Sequence, residues 1–402
     1  MKFFLFYIKY IIRFILVAIC KLGLTFIPKD KELILFTSWF GKKYGDSTRY
    51  MFEYLLNKER HKPVWVTSDS MLYESLKANS LPVVYSYSLK GIWYQIRAKM
   101  LVSSIQTADY NYLFLRNCVF FDLDHGFALK QAGFKIPGTP KINILFSKFL
   151  RLGMEYWMSA STPFGKGTVM NGYDIKPERI VRCNKPRTDV LFDKELQKGK
   201  NAIIDELKKD KKAIVWMPTH RSCGEKPIEI SKIVDLNKLQ AICEKNNIVF
   251  IIKKHFYHNK EKENLDQYPN IFDVTNEDID SQVILSQADA LVSDYSASYI
   301  EYLILDRPIL LYAYDKEDFL KNERDLDVPF EENTAGEIVL TQKDFLNGIE
   351  RIASDWYDTQ FAAGRHKACK LFFDENAKPG CFREEVAAII DKLMHNQYTP
   401  NW

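Results

Sequence analysis

The sequence predicts an α/β protein made of two Rossmann-like halves of parallel sheet that face a central cleft. Short apolar runs alternate with amphipathic segments from residue 29 to about residue 344. Strands at that spacing, with helices between them, read as βαβ units and therefore as parallel sheets covered on both faces. The alternation breaks once, at the Lys- and Asp-rich stretch Asp193–Lys212. A chain of 402 residues also accommodates two or three domains at about 150 residues each.

The first element is the segment 1–28, dominated by Phe, Ile, Leu and Tyr and broken by Lys2, Lys9, Arg13 and Lys21. No stretch reaches the ~18 uncharged apolar residues of a spanning helix. At about 100° per residue, Lys2, Lys9 and Arg13 fall within about 40° of one another, with Lys21 further round. A basic stripe on an apolar helix predicts an interfacial helix, lying in the headgroup plane and attracted by anionic lipid. A signal peptide fits worse, because charges interrupt the apolar run and no A-x-A-like site follows. The competing reading is a core helix that caps the first domain.

Strands are expected at Glu32–Phe36, Pro63–Thr67, Pro82–Tyr85, Met100–Ser103, Cys118–Phe121 and Arg179–Arg182. A second set follows at Lys212–Met217, Ile248–Ile252, Asn270–Val274, Ala290–Ser293 and Pro308–Tyr312. Helices are expected at Ser47–Leu56, Asn237–Asn246, Ile279–Gln287 and Ala297–Leu305, and throughout the chain after Asp344. The expected domains are therefore an N-terminal membrane helix over 1–28, a first domain over 29–195, and a second over 196–402 that includes the terminal helices.

Composition narrows the function. With 47% hydrophobic and 27% charged residues, the chain is neither disordered nor fibrous. A net charge of +4 is too mild for a dedicated nucleic-acid binder. Seven Cys without a C-x-x-C pair argue against a disulfide framework and a zinc ribbon, and fit a reducing cytoplasm. Neither a Walker loop nor a strand-following G-x-G-x-x-G occurs, and H-E-x-x-H and G-x-S-x-G are also missing. Asp122-Leu-Asp124 and Asp325-Leu-Asp327 are D-x-D triplets, which arise easily in a chain with 52 acidic residues.

Strand-end motifs carry more information, because the carboxyl ends of parallel strands border the ligand crevice. Asp124-His125-Gly126 follows one strand, and Gly126 permits close backbone approach to a ligand. Pro218-Thr219-His220-Arg221 follows the first strand of the second half. Lys253-Lys254-His255 follows the next, and Ser293-Asp294-Tyr295-Ser296-Ala297-Ser298 leads from a later strand into a helix. His, Arg, Lys, hydroxyls and a helix start gathered at one edge are equipment for holding a diphosphate without a P-loop. Each residue also has a plainer role open to it. Asp294 or Ser296 could cap the helix, His255 could secure a loop, and Arg221 could pair with an acid.

The ordered series resembles the CDP-glycerol glycerophosphotransferases of teichoic acid synthesis from about Gly41 to near Val386. Gly41-Lys-Lys-Tyr-Gly-Asp-Ser-Thr-Arg49-Tyr50 is similar to the family's opening segment. Asp124-His125-Gly126-Phe-Ala-Leu129-Lys130 is similar to its H-G-T-P-L-K motif, with Phe127 and Ala128 in place of Thr and Pro. Lys185-Pro-Arg187-Thr-Asp189 resembles Y-P-R-N-D, Pro218-Thr-His-Arg221 resembles P-T-[YW]-R, and Lys253-Lys-His255 resembles K-x-H. The longest match is Ser293 to Tyr299, followed by Asp306-Arg307-Pro308 and Tyr312-Ala-Tyr-Asp315. The family's paired serines are interrupted here by Ala297. Its later P-G-P is replaced by Asn333-Thr-Ala-Gly336-Glu337.

The resemblance implies a GT-B-like architecture and transfer of a polyol phosphate from CDP-glycerol or a similar CDP-polyol, with CMP leaving and no cofactor or metal. His125 is expected as general base, oriented by Asp124 or Asp122. His255, Arg221 and the Ser296–Ser298 segment are expected to stabilise charge on the leaving group. Arg187 is expected to make a second phosphate contact, with Gly126, Thr219, His220, Lys253, Asp294, Ala297 and Ser298 also lining the substrate site. The acceptor would be a lipid-linked saccharide or polyol-phosphate polymer, met by a peripheral enzyme at the cytoplasmic face of a bacterial membrane. The chain's modest length leans toward a primase-like or short-chain enzyme. Three other readings stay open: a CDP-ribitol-using relative, a GT-B nucleotide-sugar glycosyltransferase, and a non-catalytic membrane-bound polymer-binding protein.

Overall fold

The computed structural model describes residues 2–402 apart from 59, 128, 201, 222–227, 256–262, 323–325, 329, 333, 334 and 401. Ala128, Asp325 and Asn333-Thr334, quoted above, lie outside the described residues, as does Cys223, one of the seven cysteines. The chain divides into two compact units, one made of Met1–Gly126, Gly133–Asp189 and Cys381–Trp402, the other of Phe127–Ala132 and Val190–Gly380.

The first unit holds a seven-stranded sheet: β1 (Asp30–Phe36), β2 (Lys62–Thr67), β3 (Val83–Tyr85), β4 (Ala98–Ser103), β5 (Val119–Asp122), β6 (Glu155–Ala160) and β7 (Ile180–Arg182). Its order is β3-β2-β1-β4-β5-β6-β7 and every pairing is parallel. Apolar runs such as Leu33–Phe36 and Val119–Phe121 are buried throughout, as strands covered on both faces require. The sequence reading missed β6, whose Tyr156-Trp157 pair is a strand signal but whose polar Ser159–Thr162 end runs directly into the helix Pro163–Tyr173.

The second unit holds β8 (Lys212–Trp216), β9 (Ile248–Ile252), β10 (Ile271–Asp273), β11 (Ala290–Ser293), β12 (Ile309–Tyr312) and β13 (Glu337–Val339). The order is β10-β9-β8-β11-β12-β13, again all parallel. In both sheets the winding direction reverses beside the first strand, between β1 and β4 and between β8 and β11. Such switch points are where open α/β sheets receive ligands. The three-residue edge strand β13 was also missed.

The C-terminal segment corrects the expected boundaries. The helix Phe382–Met394 belongs to the first unit, where Val386, Ile389, Ile390 and Leu393 join Ile34, Phe36, Phe52 and Trp65 in one core. Its start is fixed by Asp189, whose carboxylate accepts from the Phe382 N–H at 2.9 Å and the Arg383 N–H at 2.8 Å. Asp391 holds it further along by pairing with Arg60 and His61. Periodicity marks an apolar face on this helix but does not say which core that face covers.

The N-terminal helix spans Lys2–Leu24. Tyr10, Phe14 and Val17 pack on Phe146, Phe149 and Leu150 of the helix Lys141–Arg151. Lys21, further round the helix than Lys2, Lys9 and Arg13, is buried, and its ammonium donates to the carbonyls of Leu150 (2.7 Å) and Leu152 (2.6 Å). It thereby caps the negative end of the helix beneath it. Burial, with the charge of Arg116 nearby, lowers its pKa to about 8. The outward face carries Ile11, Ile12, Ile15, Leu16, Ile19 and Leu22, all exposed. Among the described residues no helix is long and apolar enough to cross a membrane.

Candidate active site

In the first unit the site is built at the end of β5. Asp122 closes the strand, fully buried, accepting from the Asp124 N–H at 2.9 Å and the Tyr156 hydroxyl at 3.2 Å. Asp124 adopts φ +56°, a left-handed turn that a short polar side chain tolerates. Its Oδ1 lies 3.1 Å from Nδ1 of His125 and accepts the His125 backbone N–H at 2.7 Å. The turn is braced by buried Lys185, which donates to the Leu123 carbonyl (2.5 Å) and Ser159 Oγ (3.0 Å).

The two carboxylates are driven apart. Burial, reinforced by the charge of Asp124, pushes the Asp122 carboxyl up. Burial also acts upward on Asp124, but the hydrogen bond to His125 and the charge of Lys185 outweigh it and hold that group well below the usual carboxylate range. Asp124 is thus the ionised partner of the imidazole, and Asp122 supports it from below. Desolvation pulls the His125 pKa down, yet the Asp124 bond and charge, helped by Asp46, bring the net shift upward. The His125 side chain stays 45% exposed. Arg187 pairs with nearly buried Asp46 at 2.9 Å. Half-buried Gly126 ends this part of the first unit. The next residue, Phe127, belongs to the second unit and packs on Phe373 at 4.7 Å, which gives the Thr-to-Phe departure an apolar role.

In the second unit the site spans the switch point. Thr219, after β8, donates from N–H (2.9 Å) and Oγ1 (2.7 Å) to Asp294, after β11. Arg221, only 3% exposed, donates through Nη2 to Asp294 at 2.9 Å and through Nε to Asp315, after β12, at 2.7 Å. Nη1 reaches the Thr219 carbonyl. The guanidinium thus forms a buried tie joining three strand ends. Lys253 is similarly committed, its amine donating to the carbonyls of Val274 (3.1 Å) and Glu277 (2.6 Å), and burial lowers its pKa.

His220 and His255 come together with ring centroids 4.9 Å apart. Ser296 and Ser298 lie on either side of Ala297, their hydroxyls 3.0 Å apart. The Ser298 N–H donates to Ser296 Oγ at 3.3 Å, so part of the expected helix start caps itself. That helix is short, Ala297–Tyr302, and Leu303–Leu305 continue as a 3₁₀ turn. Sequence reasoning missed Asp315 as the second anion on Arg221, although Tyr312-Ala-Tyr-Asp315 had been matched as a motif. It also missed Asp46 as the partner of Arg187.

Two all-parallel sheets with polar side chains collected at their carboxyl ends make this a GT-B-like α/β protein. Within that class, the chain belongs to the family described as CDP-Glycerol:Poly(glycerophosphate) glycerophosphotransferase, whose family model matches residues 21–378. It is 24% identical to the teichoic acid glycerol-phosphate transferase of Staphylococcus aureus (strain NCTC 8325 / PS 47), over 80% of this chain and 84% of that one. The teichoic acid ribitol-phosphate polymerase TarL of the same organism is 32% identical over 53% of this chain and 38% of its own length. In fold it resembles the wall teichoic acid polymerase TagF, as a histidine variant soaked with CDPG, with TM-score 0.77, 20% identity and coverage of 92% of this chain and 90% of that one.

Two predictions follow from the buried charges. Arg221→Ala strands Asp294 and Asp315 without their cation and is expected to cost about 3–5 kcal/mol of stability. Chemical denaturation measures that loss, and Arg221→Lys should recover only part of it because one ammonium cannot span both carboxylates. Titration of His125 by NMR should give a pKa above the ordinary imidazole value. Asp124→Asn should bring it down, since the upward push comes from that carboxylate.

Proposed function

We propose that this protein transfers glycerol phosphate from CDP-glycerol to a hydroxyl of a lipid-linked or polymer acceptor in teichoic acid synthesis, releasing CMP. The observation that carries the reading is the Asp124–His125 pair, standing at a strand end in a chain of this family. His125 Nε2 takes the acceptor proton as the hydroxyl oxygen bonds to the glycerol-bearing phosphorus. The bond from that phosphorus to the bridging oxygen breaks, and CMP leaves with the electron pair. His255, His220 and the hydroxyls of Ser296 and Ser298 are the groups suited to the diphosphate. Arg221, Thr219 and Asp294 hold the strand ends that carry them. Arg187 and Lys253 enter through their ion pair and loop contacts.

CMP release in the presence of a lipid acceptor tests this reading. His125→Ala should lower turnover by about 10²–10⁴-fold while leaving CDP-glycerol affinity near wild type. His255→Ala should instead weaken donor binding roughly ten- to a hundredfold, the worth of one charge-assisted hydrogen bond. Because the base must be neutral and its pKa is raised, turnover should climb with pH through a value above the ordinary imidazole range. The local similarity to a ribitol-phosphate polymerase supports a second reading, with CDP-ribitol as donor. Running both donors side by side separates the two, and CMP release from neither would leave a polymer-binding role.

We further propose peripheral attachment to the cytoplasmic face of the membrane through the outward face of the N-terminal helix. That face is aliphatic from Ile11 to Leu22, and exposed Lys9 and half-buried Arg13 flank it. Because the helix also covers Phe146 and Leu150, substitution is a cleaner test than deletion. Ile15→Asp combined with Ile19→Asp should abolish sedimentation with anionic vesicles while leaving the melting temperature unchanged. Wild-type binding should weaken with salt as the lipid charge is screened.

A further inference from the structure

The loop after β1 has an unusual backbone. Trp39, Phe40 and Gly41 follow one another with φ of +50°, +62° and +73°. Only the glycine adopts such angles without steric cost, and runs of this kind persist where surrounding structure enforces them. Here the enforcement is explicit. Asp109, 5% exposed, accepts the Phe40 N–H at 2.6 Å while its other oxygen accepts the N–H groups of Ser104 and Ile105, both at 2.8 Å. The Trp39 N–H donates to Ser104 Oγ at 3.3 Å, and the Gly41 carbonyl accepts from Ser68 N at 2.7 Å and Thr67 Oγ1 at 2.8 Å. A buried carboxylate and two neighbouring strand ends are thus spent on fixing three residues.

That fixing places the Trp39 ring between two groups, with the Lys43 ammonium 5.8 Å from its centroid and His125 beside it. The Trp39 indole stands edge-on to the His125 imidazole, with ring centroids 5.4 Å apart and planes at 65°. The imidazole is therefore held from two directions, by Asp124 at Nδ1 and by the indole against its ring. The Asp124 contact is made at Nδ1, which leaves Nε2 as the ring nitrogen away from that carboxylate.

We propose that Trp39 is a positioning residue for His125, its indole holding the imidazole so that Nε2 faces the acceptor hydroxyl. The proposal rests on the reading of His125 as general base. Loss of the indole frees rotation about the imidazole's side-chain bonds and lowers the fraction of time that Nε2 is aimed correctly. Displacement of about 1 Å at a reacting group can cost a hundredfold in rate.

The test is steady-state kinetics of CMP release from CDP-glycerol on the full chain. Trp39→Ala should lower kcat roughly ten- to a hundredfold with both KM values unchanged. Trp39→Phe should recover most of kcat because a ring edge remains, whereas Trp39→Leu, which keeps apolar bulk without a ring, should not. Adding Trp39→Ala to His125→Ala should lower the residual rate no further. Full turnover by both Trp39→Ala and Trp39→Leu overturns the proposal, as does recovery by Leu equal to that by Phe. A loss that appears in the acceptor KM and persists beside His125→Ala also overturns it, since Trp39 would then contact the acceptor directly. If Trp39→Ala does not fold, the Phe and Leu variants decide alone. Full turnover by His125→Ala would instead sink the base reading itself, a result distinct from an inactive His125→Ala beside a fully active Trp39→Ala.

Discussion

The strand ends that carry the site in the second unit depend on the buried guanidinium of Arg221. Three adjacent parallel strands, β8, β11 and β12, end beside one another with polar residues on each, and their loops have no ladder to hold them. Arg221 closes that gap by bonding Asp294 and Asp315 simultaneously and returning to the Thr219 carbonyl. A guanidinium suits this place because its planar fork of donors meets two carboxylates without losing its proton. The arrangement costs desolvation of three charges, which only complete pairing offsets. In return, the loops carrying His220, Ser296 and Ser298 start from fixed points.

The first unit solves the same problem with a different cation. Lys185 is buried beneath the turn after β5 and donates to Leu123 and Ser159, while Asp122 receives the Asp124 N–H and the Tyr156 hydroxyl. What stands above this base is the Asp124 carboxylate paired with the His125 imidazole. The contrast between the two aspartates, two residues apart, lies in their surroundings. One is enclosed by the sheet and a phenol, the other faces a lysine and an imidazole. Opposite shifts in neighbouring carboxyls give a proton acceptor a stable ionised partner without placing two full negative charges side by side.

Several family departures acquire physical meanings in this setting. Phe127 fills an apolar position against Phe372 and Phe373. His220 stands where the family pattern has an aromatic ring, and it keeps a ring contact, now with His255. Ala297 separates two serines whose hydroxyls still meet across it. The motif residue Asp189 proves to be a helix cap acting on the C-terminal helix, nearly two hundred residues further along the chain. Motif membership therefore marks positions under constraint without distinguishing ligand contact from architecture.

The sequence alone determined the two parallel sheets, because strands covered on both faces must be short, apolar and separated by helices. Eleven of the strands could be read in that way; β6 and β13 could not, one masked by its polar exit and the other too short to show a pattern. It also determined which strand ends carry His125, His255 and the serines, since those motifs directly follow apolar runs. Partners were decided only by tertiary structure. Which anions Arg221 meets within the fold depended on Asp315, ninety-four residues away, arriving beside it. Whether Lys21 faced the headgroups or capped a helix depended on where Leu150 and Leu152 lay. Periodicity is a local property that burial imposes along a segment, whereas pairing of charges is settled by which segments fold together. That is why the fold was legible in the chain and the roles of its buried cations were not.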